Sequence, residues 1–420
     1  MSAPSWYHAQ GTVPPRPPLA GAVEAGTCIV GGGLAGLSLL LSLAECGHRA
    51  VLLEKGAIGG GASGLNGGMV LPGWAASLPA IEARTGAADA SALYALSLEG
   101  VRLVRAWIGR HAVACDPVDG AVEAVRVGDP AAFAAWADES NARFGTRLAV
   151  WDQARTQDAY QSPRYKAALF DPDAFHLDPL AYLRGLADAA EADGAAIYEA
   201  TPALAVKRRG GGFYITVPGG EVRARRVVLA VGADGRGLCR RLDRAILPLL
   251  TGIVVTEPLG ERLRDAIRAD CAVVDDRFVT GYYRPLPEGR LLWGGGLAMR
   301  AGADALRRRL LADLAGVYPQ LGRPAATHAW TGRMAFTRHR MPLVRELAPD
   351  LWALDGFGGH GLNTTAIAGE VLARHLTGGD DAVRLFDPFD AVTTGGPLGP
   401  LAARGLVWGQ SLKDAWRMRG

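Results

Sequence analysis

The chain has 420 residues and a formal net charge of +3, and 49% of its residues are hydrophobic while 21% are charged. A chain of this length and composition can bury a large core and is expected to form two domains or two interleaved lobes. The near-neutral charge, without a basic cluster interleaved with aromatics, argues against nucleic acid as a partner, and the apolar runs are too short for membrane insertion.

The cysteines are odd in number, widely spread, and include no Cys-x-x-Cys pair. They are Cys28, Cys46, Cys115, Cys239 and Cys271. This usage is typical of reduced thiols in a cytoplasmic protein and argues against a zinc site, so we expect no metal centre. Residues 1–26 carry five prolines and no apolar core of a signal peptide, which predicts an extended N-terminal arm.

The next stretch, residues 27–36, is an apolar run that breaks into Gly-x-Gly-x-x-Gly and continues as an apolar helix. This pattern predicts the strand, tight turn and helix that open a dinucleotide-binding unit. Gly31 would permit the turn, Gly33 would let the backbone approach a pyrophosphate, and Gly36 would let the helix lie close to the strand.

The helix that follows these glycines begins at Leu34 and Ala35, where N–H groups and the positive end of the helix dipole can face phosphates. A second apolar strand ends at Glu54, about 20 residues after the glycines. Its carboxylate is placed to accept hydrogen bonds from the ribose hydroxyls of an adenosine.

Residues 56–70 form a glycine-rich run in which Ser63 and Asn66 stand among the glycines. Such a run suits a backbone that lies flat along an extended ligand and donates N–H groups to it. The alternative is a solvated glycine linker. The run resembles the Gly-Ala-Ser-x-x-Asn-Gly-Gly loop of the D-amino-acid oxidase, glycine oxidase and sarcosine oxidase family, in its γ-glutamylputrescine oxidase-like branch.

The resemblance implies FAD as the cofactor and an α/β fold: a Rossmann-like FAD-binding domain of the glutathione-reductase type with an interleaved antiparallel-sheet substrate domain. It also implies that the end of the second strand and the glycine-rich loop contact FAD. These residues are Lys55, Gly61, Ala62, Ser63, Asn66, Gly67, Gly68 and Met69. The expected FAD-binding segments are 27–80, 160–240 and 330–392, the substrate-domain segments are 81–159 and 241–329, and a tail helix occupies 393–420.

The substrate domain is expected to begin with helices between residues 78 and 108, a strand at 121–127 and a helix at 130–144. Further on, His176 precedes a helix at 181–192. It resembles a histidine at that place in the γ-glutamylputrescine oxidase-like branch and is a candidate catalytic residue, with a purely structural role as the alternative.

The strands that follow this helix look like the family's second FAD-contacting portion. By that resemblance, the backbone of Ala203 touches the adenine, and Gly232 and Ala233 end a buried strand at the cofactor.

Residues 241–324 are predicted to form a largely antiparallel sheet at the floor of the substrate pocket, with an outer helix from Leu306 to Tyr318. Successive residues on a strand face opposite sides, so Tyr283 and Arg284 cannot both face the flavin. Tyr283 is a candidate catalytic residue, and a position on the far face of the sheet is its alternative.

Near the C-terminus a strand again breaks into glycines and enters a helix, predicted at 367–376. The N-terminus of this helix can place its dipole against the part of a flavin that becomes anionic on reduction. The run Gly-Phe-Gly-Gly-His-Gly-Leu-Asn resembles the family's C-terminal flavin motif. The residues implied to contact FAD are Gly358, Gly359, His360, Gly361, Leu362 and Asn363, and His360 is also a candidate catalytic residue.

Met334 is a departure from the family pattern. It stands where the sarcosine oxidase branch has the cysteine that links the flavin and where the glycine oxidase branch has a carboxylate-binding arginine. We therefore expect noncovalent FAD, and Arg333 or Arg338 becomes the candidate to bind a substrate carboxylate. Four apolar residues at roughly helical spacing predict a packing helix beyond Gly395. They are Leu406, Trp408, Leu412 and Trp416.

Three functions remain open from the sequence. The leading one is an enzyme that oxidises a C–N bond of a small amine or amino acid to an imine, with γ-glutamyl-amines and secondary amines included. The alternatives are another flavoenzyme chemistry, such as NAD(P)H-linked hydroxylation, and an FAD-binding subunit without turnover. The substrate, the electron acceptor and the oligomeric state are left open.

Overall fold

A computed structural model describes residues 5–11, 13–298, 302–396 and 399–417. Within that part, the β-strands in chain order are β1 Gly21–Val30, β2 Ala50–Leu53, β3 Met69–Val70, β4 Val118–Val125, β5 Ala149–Trp151, β6 Ala167–His176, β7 Ala196–Tyr198, β8 Ala205–Arg209, β9 Gly212–Val217, β10 Gly220–Leu229, β11 Leu247–Thr256, β12 Ala272–Asp275, β13 Tyr282–Leu286, β14 Arg290–Ala298, β15 Ala326–Phe336, β16 Leu343–Ala348 and β17 Leu351–Asp355. The α-helices are α1 Trp6–Ala9, α2 Leu34–Glu45, α3 Leu78–Thr85, α4 Ala87–Arg110, α5 Pro130–Phe144, α6 Gln153–Ala159, α7 Pro179–Ala192, α8 Arg240–Ala245, α9 Glu261–Ala266, α10 Ala303–Val317, α11 Leu362–Thr377 and α12 Gly399–Arg417.

The strands form two sheets, which confirms the predicted α/β architecture with a second, mainly antiparallel sheet. Sheet I has the order β16-β17-β10-β1-β2-β7, with β9 and β8 added beside β10. The neighbours from β17 to β7 are parallel, as expected when helices connect them. Sheet II has the order β15-β11-β14-β13-β12-β4-β6-β3, with β5 beside β6.

The unit β1-α2-β2 folds as the glycine pattern predicts. Helix α2 is apolar on all sides, and every residue from Leu34 to Ala44 is buried. It lies between sheet I and helices α7 and α11, with which it forms the largest core cluster. An added Cβ on Gly36 would lie 2.0 Å from the carbonyl oxygen of Gly31, so this close helix-strand contact requires glycine.

The N-terminal arm differs from the predicted extended chain. Residues Trp6–Ala9 form α1, where the Ser5 hydroxyl accepts a hydrogen bond from the backbone N–H of His8. Trp6 and Tyr7 are buried, and the Tyr7 hydroxyl donates to the carbonyl of Asn66 at 2.9 Å. Strand β1 also begins at Gly21, six residues before the predicted start at Thr27, because its ladder with β10 begins there.

The predicted boundaries between FAD-binding and substrate-domain segments do not follow the two sheets. Strands β3 and β6 fall in predicted FAD-binding segments but pair with each other in sheet II. The segment predicted to begin at residue 330 cuts through β15, which pairs along its length with β11 in sheet II. Ladder partners lie far apart in the chain, and local periodicity does not reveal them. The division into two functional domains stays a prediction.

The C-terminal helix α12 forms, but its predicted packing residues are exposed. Leu406, Trp408, Leu412 and Trp416 have exposed fractions of 57%, 68%, 50% and 78%. The helix is joined to the rest of the chain by the Asp414 carboxylate, which accepts from the N–H of Phe278 at 2.9 Å. In the described part of the chain, no helix is both long and apolar enough to cross a bilayer.

Candidate active site

One cavity of about 1130 Å³ lies between the two sheets, where the carboxyl ends of β1, β10 and β17 meet the inner face of sheet II. The carboxyl ends of parallel strands are the usual ligand site of such sheets. The predicted site residues that line this cavity are Gly33, Leu34, Ala35, Ala62, Ser63, Asn66, Gly67, Met69, Gly232, Arg333, Gly358, Gly359, His360, Gly361, Leu362 and Asn363. Three loops distant in sequence therefore converge on one space.

The glycine-rich loop after β2 is folded against the N-terminus of α2. The N-cap residue of α2 is Gly33, which has no side chain to cap the helix. The Ser63 hydroxyl supplies an acceptor instead, and it accepts from the N–H of Leu34 at 3.0 Å. The Asn66 amide donates to the carbonyl of Ser63 at 2.7 Å and accepts from the N–H of Gly68 at 2.8 Å. These contacts order the loop, and the linker alternative is wrong.

The second glycine loop, before α11, turns through two residues with positive φ. Gly358 and Gly359 have φ of 63° and 85°, a backbone conformation that favours glycine. His360 follows, with its Nε2 atom 3.0 Å from the carbonyl oxygen of Leu71. Burial lowers the pKa of His360, although hydrogen bonds to Leu71 and Pro72 oppose the shift, so the ring is neutral near pH 7 and donates Nε2–H to Leu71.

Asp355, at the end of β17, connects two of these loops. Its carboxylate accepts from the N–H of Gly232 at 2.8 Å and from the N–H of Gly356 at 2.6 Å. Burial raises the pKa of Asp355 to about 6, against the effect of these hydrogen bonds. Local sequence pattern does not reveal this contact with Gly232, because it joins residues 123 positions apart.

Several predicted cofactor residues lie outside the cavity lining. They are Gly31, Gly36, Glu54, Lys55, Gly61, Gly68, Ala203 and Ala233. Gly31 and Gly68 are required by backbone geometry. Both have positive φ, and an added Cβ would lie 2.2 Å from the carbonyl oxygen of Ala230 at Gly31 and 2.0 Å from that of Leu177 at Gly68. The Glu54 carboxylate accepts from the N–H groups of Gly32 at 2.7 Å and Gly56 at 2.8 Å. Direct cofactor contact by these residues stays a prediction.

Tyr283 does not face the cavity, contrary to its candidacy as a catalytic residue. It is 2% exposed, its ring stacks on Trp293 at 4.6 Å, and its hydroxyl lies 2.5 Å from that of Tyr318. By the alternation of side chains along β13, the preceding residue, Tyr282, lines the cavity instead. Arg284 is buried and donates from Nε to the carbonyl of Gly67 at 2.8 Å, so it supports the glycine-rich loop from behind.

His176 is also outside the cavity lining and 3% exposed. Its Nε2 lies 2.9 Å from the carbonyl oxygen of Asp270, and its Nδ1 lies 3.5 Å from Nη1 of Arg284. Burial, together with the charge of Arg284, lowers the pKa of His176 to about 4. The structural alternative for His176 fits this environment, and the candidate catalytic role does not.

Of the two arginines proposed to bind a carboxylate, Arg333 is already paired. Its Nη1 lies 2.7 Å from the carboxylate of Asp234, and its side chain is 50% exposed. Arg338 lines the cavity, and so does Arg340, which sequence reasoning missed.

Arg340 has a positive φ of 63°, and its guanidinium lies 5.9 Å from the centre of the Phe278 ring. Burial lowers the pKa of Arg340, and among the described residues no carboxylate lies within 4 Å of its nitrogens. Its charge in turn contributes to the lowered pKa of His360. The two arginines of the run 338–342 were the available signal, and both line the cavity.

The profile of one protein family, described as FAD dependent oxidoreductase, matches residues 27–375. The chain belongs to this FAD-dependent oxidoreductase family. The gamma-glutamylputrescine oxidoreductase of Escherichia coli is 33% identical over 366 residues, which cover 86% of this chain and 85% of that protein. The "Probable oxidoreductase OrdL" of Haemophilus influenzae is 29% identical over 381 residues, covering 88% of this chain and 87% of that protein.

The fold agrees with solved structures of related proteins. Glycine oxidase from Geobacillus kaustophilus superimposes with a TM-score of 0.71 at 21% identity, covering 88% of this chain and 99% of that chain. The predicted family, its γ-glutamylputrescine oxidase-like branch, the FAD cofactor and the enzyme class are confirmed by these comparisons.

The residues of this chain fit FAD. At Gly33 an added Cβ would come within 2.9 Å of the Ser63 hydroxyl, so the α2 N-terminus presents bare backbone to the cavity. The N-terminus of α11 faces the same space. Two helix N-termini in one cavity favour a ligand that carries negative charge at two places, as a pyrophosphate and a reduced flavin do. The volume exceeds that of common small-ligand pockets and leaves room for a substrate.

Proposed function

We propose that this FAD-dependent oxidoreductase oxidises a C–N bond of an amine or amino acid to an imine, which then hydrolyses. The observation that carries the proposal is that one cavity joins both glycine loops to a wall of sheet II, with Tyr282 and Met334 on that wall. A small substrate would thus lie beside a cofactor held by the loops. When bound, FAD supplies the acceptor for a hydride at its N5 atom.

The chain's own residues would orient the substrate and stabilise developing charge. Hydride transfer from a neutral amine needs no strong base, only positioning and an environment that favours the negative charge formed on the acceptor. The N-terminus of α11 provides backbone N–H groups and a positive dipole end there. His360, neutral and tethered to Leu71, holds the turn that leads into this helix.

Arg340 is the candidate anchor for a substrate carboxylate. Arg338 and Arg340 are both cavity arginines without a carboxylate partner among the described residues, whereas Arg333 is engaged by Asp234. Of the two, Arg340 is the one whose charge acts on His360. An arginine matches a carboxylate with two parallel hydrogen bonds. A γ-glutamyl amide of a diamine, the kind of molecule that the name of the Escherichia coli relative indicates, carries such a carboxylate in addition to a free amine.

The test is anaerobic mixing of the enzyme with a panel of monoamines, diamines, γ-glutamyl-amines and amino acids while the flavin absorbance is recorded. We expect at least one amine to bleach the oxidised flavin band and NADPH to leave it unchanged. Reduction by NADPH without reduction by any amine would instead support hydroxylase chemistry. An oxidised flavin that resists every reductant would support a binding subunit.

An arginine variant adds information about substrate class. In Arg340→Met, bleaching by a carboxylate-bearing substrate should require at least tenfold more substrate, since a charge-assisted hydrogen bond is worth about 1.5–3 kcal/mol. Bleaching by a simple amine should be unchanged. An equal effect on both substrates would remove Arg340 from carboxylate binding.

A further inference from the structure

Besides Asp275 on β12, two carboxylates of sheet II lie in the wall of the same cavity, Glu123 on β4 and Asp171 on β6. In the β4-β6 ladder Ala121 is the partner of Asp171, and Glu123 is two residues further along β4. Residues two apart on a strand, and residues paired across a ladder, share a face. Both carboxylates are therefore neighbours on the face that sheet II turns to the cavity.

Neither carboxylate has a cationic partner within 4 Å among the residues that the structure describes. Asp171 accepts only from backbone N–H groups, those of Asp173 at 2.9 Å and Ala174 at 3.3 Å. For Glu123 the described part of the chain provides no hydrogen-bond donor. A carboxylate withdrawn from bulk water is costly unless it is paired or protonated.

A nearby acid cluster in the same sheet shows the contrast. The Asp275 carboxylate lies 3.2 Å from Nη1 of Arg126 and 2.6 Å from Nη2 of Arg277. Asp276 accepts from the N–H groups of Val127 at 3.0 Å and Gly128 at 2.6 Å. Asp275 is thus neutralised by two arginines of this chain, Asp276 and Asp171 are held by backbone N–H groups alone, and Glu123 has neither kind of partner among the described residues.

Both carboxyl groups have a raised pKa. Burial, with the negative charges of Asp276 and Asp275, raises the pKa of Glu123 to about 7. Burial also raises the pKa of Asp171, against the hydrogen bonds from Asp173 and Ala174. A cation that enters this part of the cavity would be attracted to both.

Two aromatic residues complete the surroundings. Tyr94 and Trp136 line the cavity, with ring centres 5.6 Å apart in an edge-to-face arrangement. Burial raises the pKa of Tyr94 to about 12, a hydrogen bond with Ser140 opposes the rise, and the charges of Asp171 and Glu123 add to it. Aromatic rings and carboxylates together are the usual environment for an ammonium group in proteins.

This part of the cavity is connected to the N-terminus of α11 by short contacts. The Ser97 hydroxyl donates to the carbonyl of Tyr94 at 2.6 Å, one turn away on α4. The carbonyl of Ser97 accepts from the side-chain amide of Asn363 at 3.1 Å. Tyr94 is therefore one helical turn from a residue that contacts the N-terminus of α11, where the reaction is proposed.

We propose that Glu123 and Asp171, with Tyr94 and Trp136, form a subsite for a second, non-reacting ammonium group of the substrate. This inference rests on the proposed amine oxidation and narrows its substrate class to amines that carry an additional positive charge, namely diamines, polyamines and their amides with an ammonium-bearing acid.

The test is calorimetric titration of the oxidised FAD enzyme at pH 8 with two probes of equal chain length, 1,4-diaminobutane and n-butylamine. We expect the parent to bind the diamine at least tenfold more tightly. Glu123→Gln and Asp171→Asn should each lower diamine affinity roughly ten- to hundredfold and leave butylamine affinity within twofold, which also reports an intact fold. Asp138→Asn, an exposed acid on α5, is the matched control and should behave as the parent.

Three results would each overturn the subsite: equal affinity of the parent for the two probes, no detectable diamine binding, or a diamine preference that survives when Glu123→Gln and Asp171→Asn are combined in one variant. Because the titration measures binding to oxidised enzyme, it is independent of turnover. Diamine binding that depends on Glu123, with no bleaching by any amine, would retain the subsite and reject the proposed reaction.

Discussion

At the scale of single residues, the side chains in the two glycine loops are held by hydrogen bonds to backbone groups of other segments. His360 is tethered to Leu71, Asn66 to Ser63, and Glu54 to Gly32 and Gly56. Such contacts fix rotamers before a ligand arrives, which lowers the entropic cost of binding. They also limit direct contact with a substrate, because a ring nitrogen or carboxylate oxygen that is already hydrogen-bonded to the backbone is less available to a ligand.

The first prediction concerns His360. His360→Ala should slow flavin reduction by roughly ten- to a thousandfold if the ring, held by its hydrogen bond to Leu71, fixes the turn that presents the backbone donors, and FAD should stay bound. Stopped-flow absorbance under anaerobic conditions measures the reduction rate, and the flavin-to-protein absorbance ratio measures retention. A rate within twofold of the parent would assign His360 to packing alone.

The second prediction concerns Glu54, whose two oxygens accept from Gly32 and Gly56. Glu54→Gln places an amide NH2 where one of these acceptors was, so FAD affinity should fall by about 1.5–3 kcal/mol or less. Equilibrium dialysis of FAD measures the change. Glu24→Gln, an exposed acid on β1, is the control, and a Glu54 variant that retains FAD equally well would exclude this residue from the site.

At the scale of elements, the site is assembled from strand ends. Strands β10 and β17 are parallel neighbours, and each ends in a glycine turn that lines the cavity. The carboxylate of Asp355 connects these two turns through backbone N–H groups. The β10-β17 ladder ends at the pair Leu229 and Ala353. Beyond it, the Asp355 side chain holds the two loops together.

The third prediction follows from that connection. Asn in place of Asp355 keeps one acceptor oxygen and puts an NH2 group opposite a backbone N–H. Asp355→Asn should therefore lower the free energy of unfolding by about 1–3 kcal/mol, the cost of a buried unpaired donor. Urea unfolding measures it, with Asp193→Asn at the exposed end of α7 as the control. Unchanged stability would mean that the two turns do not depend on this carboxylate.

At the scale of the whole molecule, the cavity is lined by residues from both sheets and from α12, and none of the five cysteines lines it. Met334 lies on β15, with its sulfur 2.7 Å from the position of a Cβ built on Gly359. A thioether side chain so placed can pack against the C-terminal glycine loop but cannot form the cysteinyl bond expected in the sarcosine oxidase branch.

The fourth prediction is that FAD is bound without a covalent link. Acid precipitation of the protein should release all yellow colour into the supernatant, where absorbance quantifies it against total flavin. Colour that stays with the washed pellet would show a covalent bond and contradict the expectation from Met334.

The fifth prediction is a pH dependence of diamine binding. The pKa of Glu123 is about 7, so its carboxyl is neutral at pH 6 and charged at pH 8. The charges that act on it are those of Asp276 and Asp275 at the end of β12, and Asp171 is its neighbour on the same face of the β4-β6 ladder. Tyr94 on α4, with a pKa of about 12, stays neutral. Amines near pKa 10 remain protonated throughout this range.

The affinity for 1,4-diaminobutane should therefore rise several-fold from pH 6 to pH 8 in the parent enzyme. In Glu123→Gln the rise should be lost, because the titrating group is absent. Calorimetry at the two pH values measures both. An equal rise in parent and variant would assign the titration to another group.

The sequence by itself determined the parts of this protein that depend on local pattern. The glycine spacing with Glu54, the glycine-rich loop and the run before α11 identified a dinucleotide site and a family resemblance, and most of their residues do line one cavity. Glycines in a sequence indicate where turns and close backbone contacts occur, because a positive φ or a close backbone approach excludes other residues. Helices such as α5 and α7 were predictable from a proline at their first position and an acidic cap.

Only the tertiary structure decided which side chains face the cavity. Successive residues on a strand point to opposite faces, so Tyr282 and Tyr283 of β13 lie on opposite sides of sheet II. The sequence does not say which of the two faces the cavity, and the structure places Tyr282 there. The contacts of Asp355 with Gly232 and of His176 with Arg284 join segments more than a hundred residues apart. Glu123 and Asp171 carry no motif at all. They are neighbours because β4 and β6 pair with a particular register, and no local periodicity contains that information.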